Sequence, residues 1–325
     1  MNVSIVVPVY NSQESLEELT RRIETVLARE ASGHEILLID DGSADHSWEK
    51  ICELAATNSR VHGFRLMRNY GQQNALLMGI RRAKGDVIVT LDDDLQNPPE
   101  EIPKLLAKLA EGNQVVYGTP EKGRHGPFRD LASFVMKLVL RAVVGAKQAK
   151  YASAFRAFRR EVRYSFDHFQ GAQVCIDALL TWGATRFASV TVRHEKRRQG
   201  RSNYTLGCLT AHALNMLMGY STKPLRLASA AGMFFAFFGI ATLAYVLLRY
   251  LLEGGSVPGF PFLASTIAIF SGVQLFALGI IGEYLSRMYL RSMAKPPYTL
   301  LEQTDPIPLS DRGEAAPPTM LMEKA

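Results

Sequence analysis

Apolar positions along this chain follow three different patterns. In the amino-terminal third, short and almost unbroken apolar runs alternate with stretches whose apolar residues recur every three or four positions. Val3 to Val9 is a β-branched run closing in Pro8-Val9-Tyr10-Asn11, and Leu16, Leu19, Ile23, Val26 and Leu27 then keep helical spacing. Ile36 to Ile39 is a second strand, a helix follows around Trp48 to Ala56, and Val61 to Leu66 and Asp86 to Thr90 are further strands. Runs this continuously apolar leave no wet face. They predict an α/β domain with a mostly parallel sheet covered on both sides, its ligands at the carboxyl ends of the strands.

Farther along, the periodicity gives way to two uncharged stretches rich in Leu, Ile, Phe, Ala and Gly, Leu227 to Leu248 and Phe262 to Gly282. Each is long enough to cross a hydrocarbon core about 30 Å thick. A pair of core helices is the competing reading, but core helices normally carry a polar stripe. The third pattern is amphipathic: Leu206 to Tyr220 and Phe128 to Val144 each present one apolar helical face, suited equally to membrane-surface contact and to core packing. Lys223 and Arg226 precede the first span and Arg287, Arg291 and Lys295 follow the second. The connector Glu253 to Pro261 holds no lysine or arginine, with Arg249 at its near edge, so both termini are expected in the cytoplasm. The first apolar run is short, lacks a basic leader and goes straight into Pro8 and Asn11, so no signal peptide is expected.

Acids gather where strands end. Asp40-Asp41 follow the second strand, and Leu91-Asp92-Asp93-Asp94-Leu95-Gln96-Asn97-Pro98 follows the strand at Thr90. Carboxylates this crowded repel one another and need a cation. Alternate acids can leave the sheet on one side, so Asp92 and Asp94 can share a divalent ion while Asp93 points elsewhere. A solvated acidic turn with Asn97-Pro98-Pro99 as loop breakers is the alternative. The first strand-to-helix turn has no G-x-G-x-x-G pattern and the chain has no Walker lysine motif, which leaves phosphates to a metal. Downstream, His194 to Tyr204 is a basic, glycine-containing loop. Arg197 and Ser202 are its candidate phosphate contacts, because arginine offers two parallel donors and glycine lets backbone approach; a solvated basic turn near the membrane is the alternative.

Val6-Val7-Pro8-Val9-Tyr10-Asn11, Ile39-Asp40-Asp41-Gly42-Ser43, Arg68-Asn69-Tyr70-Gly71-Gln72 and Asp92-Asp93-Asp94-Leu95-Gln96 together resemble family 2 glycosyltransferases, in particular the polyprenyl-phosphate group. The soluble part is similar to dolichol-phosphate mannose synthase. Nearly the full chain, to about Leu301, is similar to bacterial undecaprenyl-phosphate glucosyl- and aminoarabinosyl-transferases. The resemblance implies an A-type glycosyltransferase domain with nucleotide-sugar contacts at Pro8, Tyr10, Asn11, Asp40, Asp41 and Asp93. It implies Mg²⁺ or Mn²⁺ at Asp92, Asp94 and Gln96, catalytic roles for Asp92, Asp94 and Arg197, and acceptor-phosphate contacts at Ser153, Arg156, Arg197, Arg201 and Ser202. The Ser153-Ala154-Phe155-Arg156 segment reads equally well as a core helix end. Two departures stand out: Ser12 replaces the usual acid after Tyr-Asn, and Asn203 replaces a usual Lys or Arg, a charge that Arg198 or Arg201 can supply. Asp177 lies near where other family 2 enzymes carry a base, though its apolar setting suits a structural role as well.

The implied organisation is a catalytic domain over 1–205, a juxtamembrane amphipathic helix over 206–224, transmembrane helices over 225–252 and 258–286, and a partly disordered tail over 287–325. The implied setting is the inner (cytoplasmic) membrane, multi-pass, with the catalytic domain and both termini cytoplasmic. The implied reaction is inverting, metal-dependent transfer from a nucleotide sugar, a UDP-sugar in the first instance, to a polyprenyl phosphate such as undecaprenyl phosphate, for cell-envelope glycan or lipid A modification. Glucose, N-acetylglucosamine and 4-amino-4-deoxyarabinose donors are all open, as is a homo-oligomer.

Composition changes little. The 325 residues carry a formal net charge of +6, which suits an anionic membrane and anionic substrates, and a mean hydropathy of 0.00 is high for a fully soluble protein. No nucleic-acid-binding motif accompanies the basic residues, so nucleic acid is not an expected partner. Cys52, Cys175 and Cys208 lack paired spacing, which argues against a zinc site or a disulfide framework. His194 reads as a hydrogen-bonding member of its loop, and Glu283 as a helix-end charge within reach of Arg287. A polysaccharide synthase would carry a Q-x-x-R-W motif and more spans, and a non-catalytic adaptor would not need intact Asp92, Asp94, Gln96 and Arg197.

Overall fold

The computed structural model describes residues 1–120, 153–171, 173–195, 216–253 and 259–304. Strand β1 (Asn2–Val9) runs into helix α1 (Leu16–Glu30), β2 (Gly33–Asp40) into α2 (Ser47–Thr57), and β3 (Val61–Leu66) into α3 (Gln72–Arg82). β4 (Val87–Thr90) then leads through a 3-10 turn at Pro99–Glu101 to α4 (Ile102–Ala110) and β5 (Val115–Pro120). β6 (Arg156–Arg159), α5 (Arg160–Arg163), α6 (Ile176–Gly183) and β7 (Phe187–Val192) complete the first part. The described residues build an eight-stranded sheet ordered β7-β5-β6-β4-β1-β2-β3-β8, where β8 is Leu300–Gln303.

The sheet is parallel through β4, β1, β2 and β3, in the register Val3↔Val87, Ile5↔Ile36 and Ile36↔Val61. β6 is inserted antiparallel between β4 and β5, and β8 closes the far edge antiparallel to β3. Successive side chains of a strand point to opposite faces. Val3, Ile5, Val7 and Val9 therefore pack with Leu16, Leu19, Ile23 and Leu105 on one side. Val6 packs with Leu76, Leu77 and Ile80 on the other. β1 is buried along both faces, so truncating Ile5 to Ala costs about 2–5 kcal/mol.

Helices α7 (Lys223–Glu253) and α8 (Phe260–Ser292) stand apart from this core. Phe270 of α8 packs against Phe235 and Phe238 of α7. Most of their other large apolar side chains face outward, among them Phe234, Leu251 and Phe276. Both helices are long and apolar enough to cross a membrane, and the apolar window of each has no buried residues, so neither is a core helix of the sheet domain.

Three expectations change. The 153–156 segment is not a helix end, because Arg156 opens β6. Glu283 does reach Arg287, at 2.5 Å, but α8 continues to Ser292, so that carboxylate lies inside the helix. The added turns contact both parts of the chain: Arg287 Nη1 donates to Gln173 Oε1 at 2.5 Å, while the Tyr284 hydroxyl donates to the Ser221 carbonyl at 2.5 Å and Arg291 to the Gly219 carbonyl at 3.3 Å, in the segment leading into α7. Finally, within the tail expected over 287–325, Leu300–Gln303 is a strand of the sheet, just ahead of the stretch after about Gln303 that is expected to be disordered. Residues 216–220 are helical, while the remainder of the amphipathic 206–220 segment, the 128–144 segment and the tail beyond 304 lie outside the described residues.

Candidate active site

β1, β2 and β4 run parallel, so their carboxyl ends bring Tyr10-Asn11, Asp40-Asp41 and the Leu91–Gln96 turn to one edge of the sheet. Pro8 is buried within β1 opposite Ile39, and Tyr10 is half exposed at its end. Asn11 adopts a left-handed φ of 53°, which asparagine tolerates. Its backbone N–H donates to Ser43 Oγ at 3.0 Å and its Oδ1 accepts from the Ala44 N–H at 2.8 Å. Asn11 thereby ties two strand ends together.

Asp40 is fully buried. Its Oδ1 accepts from the Ser43 N–H at 3.1 Å and its Oδ2 lies 3.5 Å from Arg65 Nε. Asp41 accepts the N–H of Tyr70 on one oxygen and of Gly71 on the other, at 2.7 and 2.8 Å. Burial raises both carboxyl pKa values, that of Asp41 to about 6, against the opposing pull of those backbone donors. Gly42, at φ 69°, lies so close to the 68–69 backbone that a Cβ would sit 2.7 Å from Arg68 C, so only glycine lets the loop nest there.

The acid turn is organised differently. Asp93 Oδ2 accepts the Tyr10 N–H at 3.1 Å, and this acid holds the end of β1. Asp92 Oδ1 receives the Gln72 side-chain amide at 2.6 Å, while Asp94 receives both the backbone and side-chain N–H of Gln96, at 3.1 and 2.6 Å. Between them Leu95 sits buried at φ 59°, a left-handed conformation that costs a branched side chain roughly 1–3 kcal/mol. That turn reverses the chain and sets Gln96 on Asp94. Burial, then the charges of Asp94 and Asp93, push the Asp92 carboxyl up to about 7.

Arg156 forms the floor. It is 1% exposed, with Nε on Thr90 Oγ1 at 3.1 Å and Nη1 on Asp177 Oδ1 at 2.5 Å; the Tyr117 hydroxyl also donates to Asp177, at 3.0 Å. The structure thus buries Arg156 at the end of β4 with its Nε and Nη1 engaged. Asp177 is its counterion. Ser153 Oγ accepts the Phe155 N–H at 3.3 Å.

The segment entering the basic loop is anchored to the acid turn. The Glu195 N–H donates to the Gln96 carbonyl at 2.8 Å, His194 Nδ1 lies 3.4 Å from Asn97 Oδ1, and Arg193 Nε donates to buried Glu101 at 2.8 Å. Arg197, Arg201 and Ser202 lie outside the described residues.

Residues 4–165 match the model of glycosyl transferase family 2, and residues 223–288 match a second model, the GtrB C-terminal hairpin. The chain belongs to glycosyl transferase family 2. Among solved structures, glucosyl-3-phosphoglycerate synthase from Mycobacterium tuberculosis, in complex with Mn²⁺, uridine diphosphate and phosphoglyceric acid, is 20% identical over 67% of this chain and 76% of that one, with a TM-score of 0.47. The same enzyme with Mn²⁺, UDP-glucose and phosphoglyceric acid gives 18% identity over 67% and 79%, with a TM-score of 0.48.

As a family 2 transferase, the chain offers a hard-oxygen donor set at Asp92 and Asp94, whose mutual repulsion a divalent cation would relieve. Among the described residues no group of three or more His, Cys, Asp or Glu side chains forms a ready metal cage. A cation at this turn would be held by one or two carboxylates and completed by substrate phosphates and water. Gln96 donates its amide to Asp94, so it orients that ligand, and its amide oxygen is the atom it has for a cation. Sequence reasoning missed Gln72, Thr90, Arg65 and the left-handed Leu95. Only Gln72 carried a signal, standing at the end of the Arg68-Asn69-Tyr70-Gly71-Gln72 motif.

Proposed function

We propose that this glycosyltransferase moves a sugar, with inversion, from a UDP-sugar to a membrane polyprenyl phosphate at the cytoplasmic face of a bilayer. One observation carries the reading: a family 2 domain whose strand-end acids converge is followed by two outward-facing apolar helices matched by the hairpin model. Asp40, Asp41, Asn11 and Tyr10 frame the nucleotide end, and Asp92 and Asp94 hold the diphosphate end. Bound there, Mg²⁺ or Mn²⁺ supplies charge neutralisation for the departing nucleoside diphosphate. A polyprenyl phosphate oxygen is already anionic at neutral pH and attacks without a strong base, which agrees with an Asp177 committed to Arg156. Arg197, with Arg201 and Ser202, grips the acceptor phosphate and brings two anionic groups within reacting distance.

The test is transfer by the full chain in detergent, given radiolabelled UDP-sugars and a short-chain polyprenyl phosphate. Product formation that stops on chelation and returns with Mn²⁺ or Mg²⁺ is expected. Sugar transfer to water or soluble acceptors alone would overturn the lipid acceptor. For orientation, a single cysteine at Ser256 should label from outside the cell and one at Ser310 should not; the reverse labelling would overturn a cytoplasmic catalytic domain.

A further inference from the structure

We propose that the segment returning from the second long helix, Tyr298 to Thr304, is a strap that positions the nucleotide end of the site, with Glu302 acting through Arg65 on Asp40. The inference rests on the reading that the Asp40–Asp41 end holds the nucleotide. β8 pairs with β3 through Phe64↔Gln303, Arg65↔Glu302 and Leu66↔Leu300, with a register shift between Arg65 and Leu66. Beyond the strand, the Met67 N–H donates to the Thr299 carbonyl at 3.0 Å. The 67–71 loop is thus held on one side by the strap and on the other by the two oxygens of Asp41.

Glu302 is the polar centre of this edge. Its Oε2 accepts from Trp48 Nε1 at 2.8 Å and its Oε1 lies 3.8 Å from Arg65 Nη1. The Arg65 guanidinium lies 5.9 Å from the Trp48 ring centroid, with Nε 3.5 Å from Asp40 Oδ2. That Asp40 oxygen is buried and has no hydrogen-bond partner, so Arg65 is the cation set beside it. Glu302 and Trp48 together hold the guanidinium there. Gly63 shows how close the strap comes: a Cβ on it would lie 2.8 Å from Thr304 Cγ2, and its N–H donates to Thr304 Oγ1 at 2.9 Å. A strand that only sealed the sheet edge would need the backbone pairing but no carboxylate on Arg65.

Glu302 is half exposed, so its substitution leaves the core intact. The experiment is calorimetric titration of uridine diphosphate, with Mn²⁺, into the detergent-solubilised full chain, alongside thermal melting. Glu302→Ala should weaken binding about tenfold, Glu302→Gln less because it keeps an acceptor for Trp48, and both should melt within a few degrees of wild type. Asp41→Asn serves as the direct test of the nucleotide end and should also weaken binding. Wild-type affinity in Glu302→Ala, with Asp41→Asn impaired, overturns the strap alone. Wild-type affinity in both, or no binding by the wild type, removes the nucleotide reading and the strap with it. A lower melting temperature in Glu302→Ala with unchanged affinity well below it marks a purely structural edge and overturns the proposal.

Discussion

At the end of β2 the Asp41 carboxylate accepts two backbone N–H groups, one on each oxygen, and Asp40 sits beside a guanidinium. At the end of β4, Asp92 and Asp94 receive glutamine amides, burial and then the charge of Asp94 push the Asp92 carboxyl up, and the Arg156 guanidinium is engaged by Asp177. In the first arrangement Asp41 has both oxygens met by backbone donors from the protein itself; in the proposed function the second would be completed by a divalent cation. Two acidic strand ends with similar sequence signatures therefore do different work. One fixes the shape of a loop, and the other crowds carboxylates at a strand end, where the proposed function would set a divalent ion and a diphosphate.

The contrast can be broken first at its floor. Asp177→Ala leaves the buried Arg156 without its counterion and should destabilise the protein by about 3–5 kcal/mol in denaturant unfolding; unchanged stability would return Asp177 to the list of candidate bases. Next comes the open cluster itself. Asp94→Asn should cost turnover roughly a hundredfold or more, about 2.7 kcal/mol of transition-state stabilisation, while melting as wild type does; near-normal transfer under limiting Mn²⁺ would show that the pair holds no metal.

Arg197→Ala should cost about tenfold to a hundredfold in kcat/KM for a short-chain acceptor in detergent, as expected for a charge-assisted contact of about 1.5–3 kcal/mol, with lysine restoring only part. Equal efficiency would reduce the basic loop to a lipid contact. The smallest effect belongs to the closed end and sharpens the comparison. Because burial raises the Asp41 pKa from an ordinary 3.8 to about 6, its contribution to stability is full below about pH 4 and is lost as pH rises through 6. Asp41→Asn should flatten that part of the stability profile, and should lower stability at pH 8 because its amide NH2 cannot accept the second of the two backbone N–H groups. A mutant that keeps the wild-type slope between pH 4 and 6 would assign the titration elsewhere.

The parallel half of the sheet was legible because Val3 to Val9 and Ile36 to Ile39 are apolar on both faces, a pattern with few other homes, although β3 carries His62 and Arg65 among its apolar residues. Their end acids were legible for the same reason, since a strand end fixes where the next residues emerge. The helix-end reading of the Arg156 segment failed because it was local: antiparallel pairing with β4 makes it a strand and sets Arg156 Nε on Thr90, and that pairing is encoded in neither segment alone. β8 was missed on similar grounds. Four residues after a proline pair carry a weak strand signal, and what makes them a strand is the open edge of β3. The left-handed Leu95 contradicts its own residue type, and such positions are found by structure because tertiary context overrides preference there.

The late position of β8 has a consequence for biosynthesis. Thr304 bonds Gly63 across 241 residues of sequence, and both long helices lie between. A chain made from its amino terminus can fold β1 to β4 early, yet the outer edge of β3 stays uncovered until α8 has left the ribosome and entered its final environment. An uncovered strand edge is a template for pairing with other chains. The sheet domain is therefore finished only after both long helices have been made, and a chain that has not yet placed Leu300–Gln303 carries an exposed strand edge.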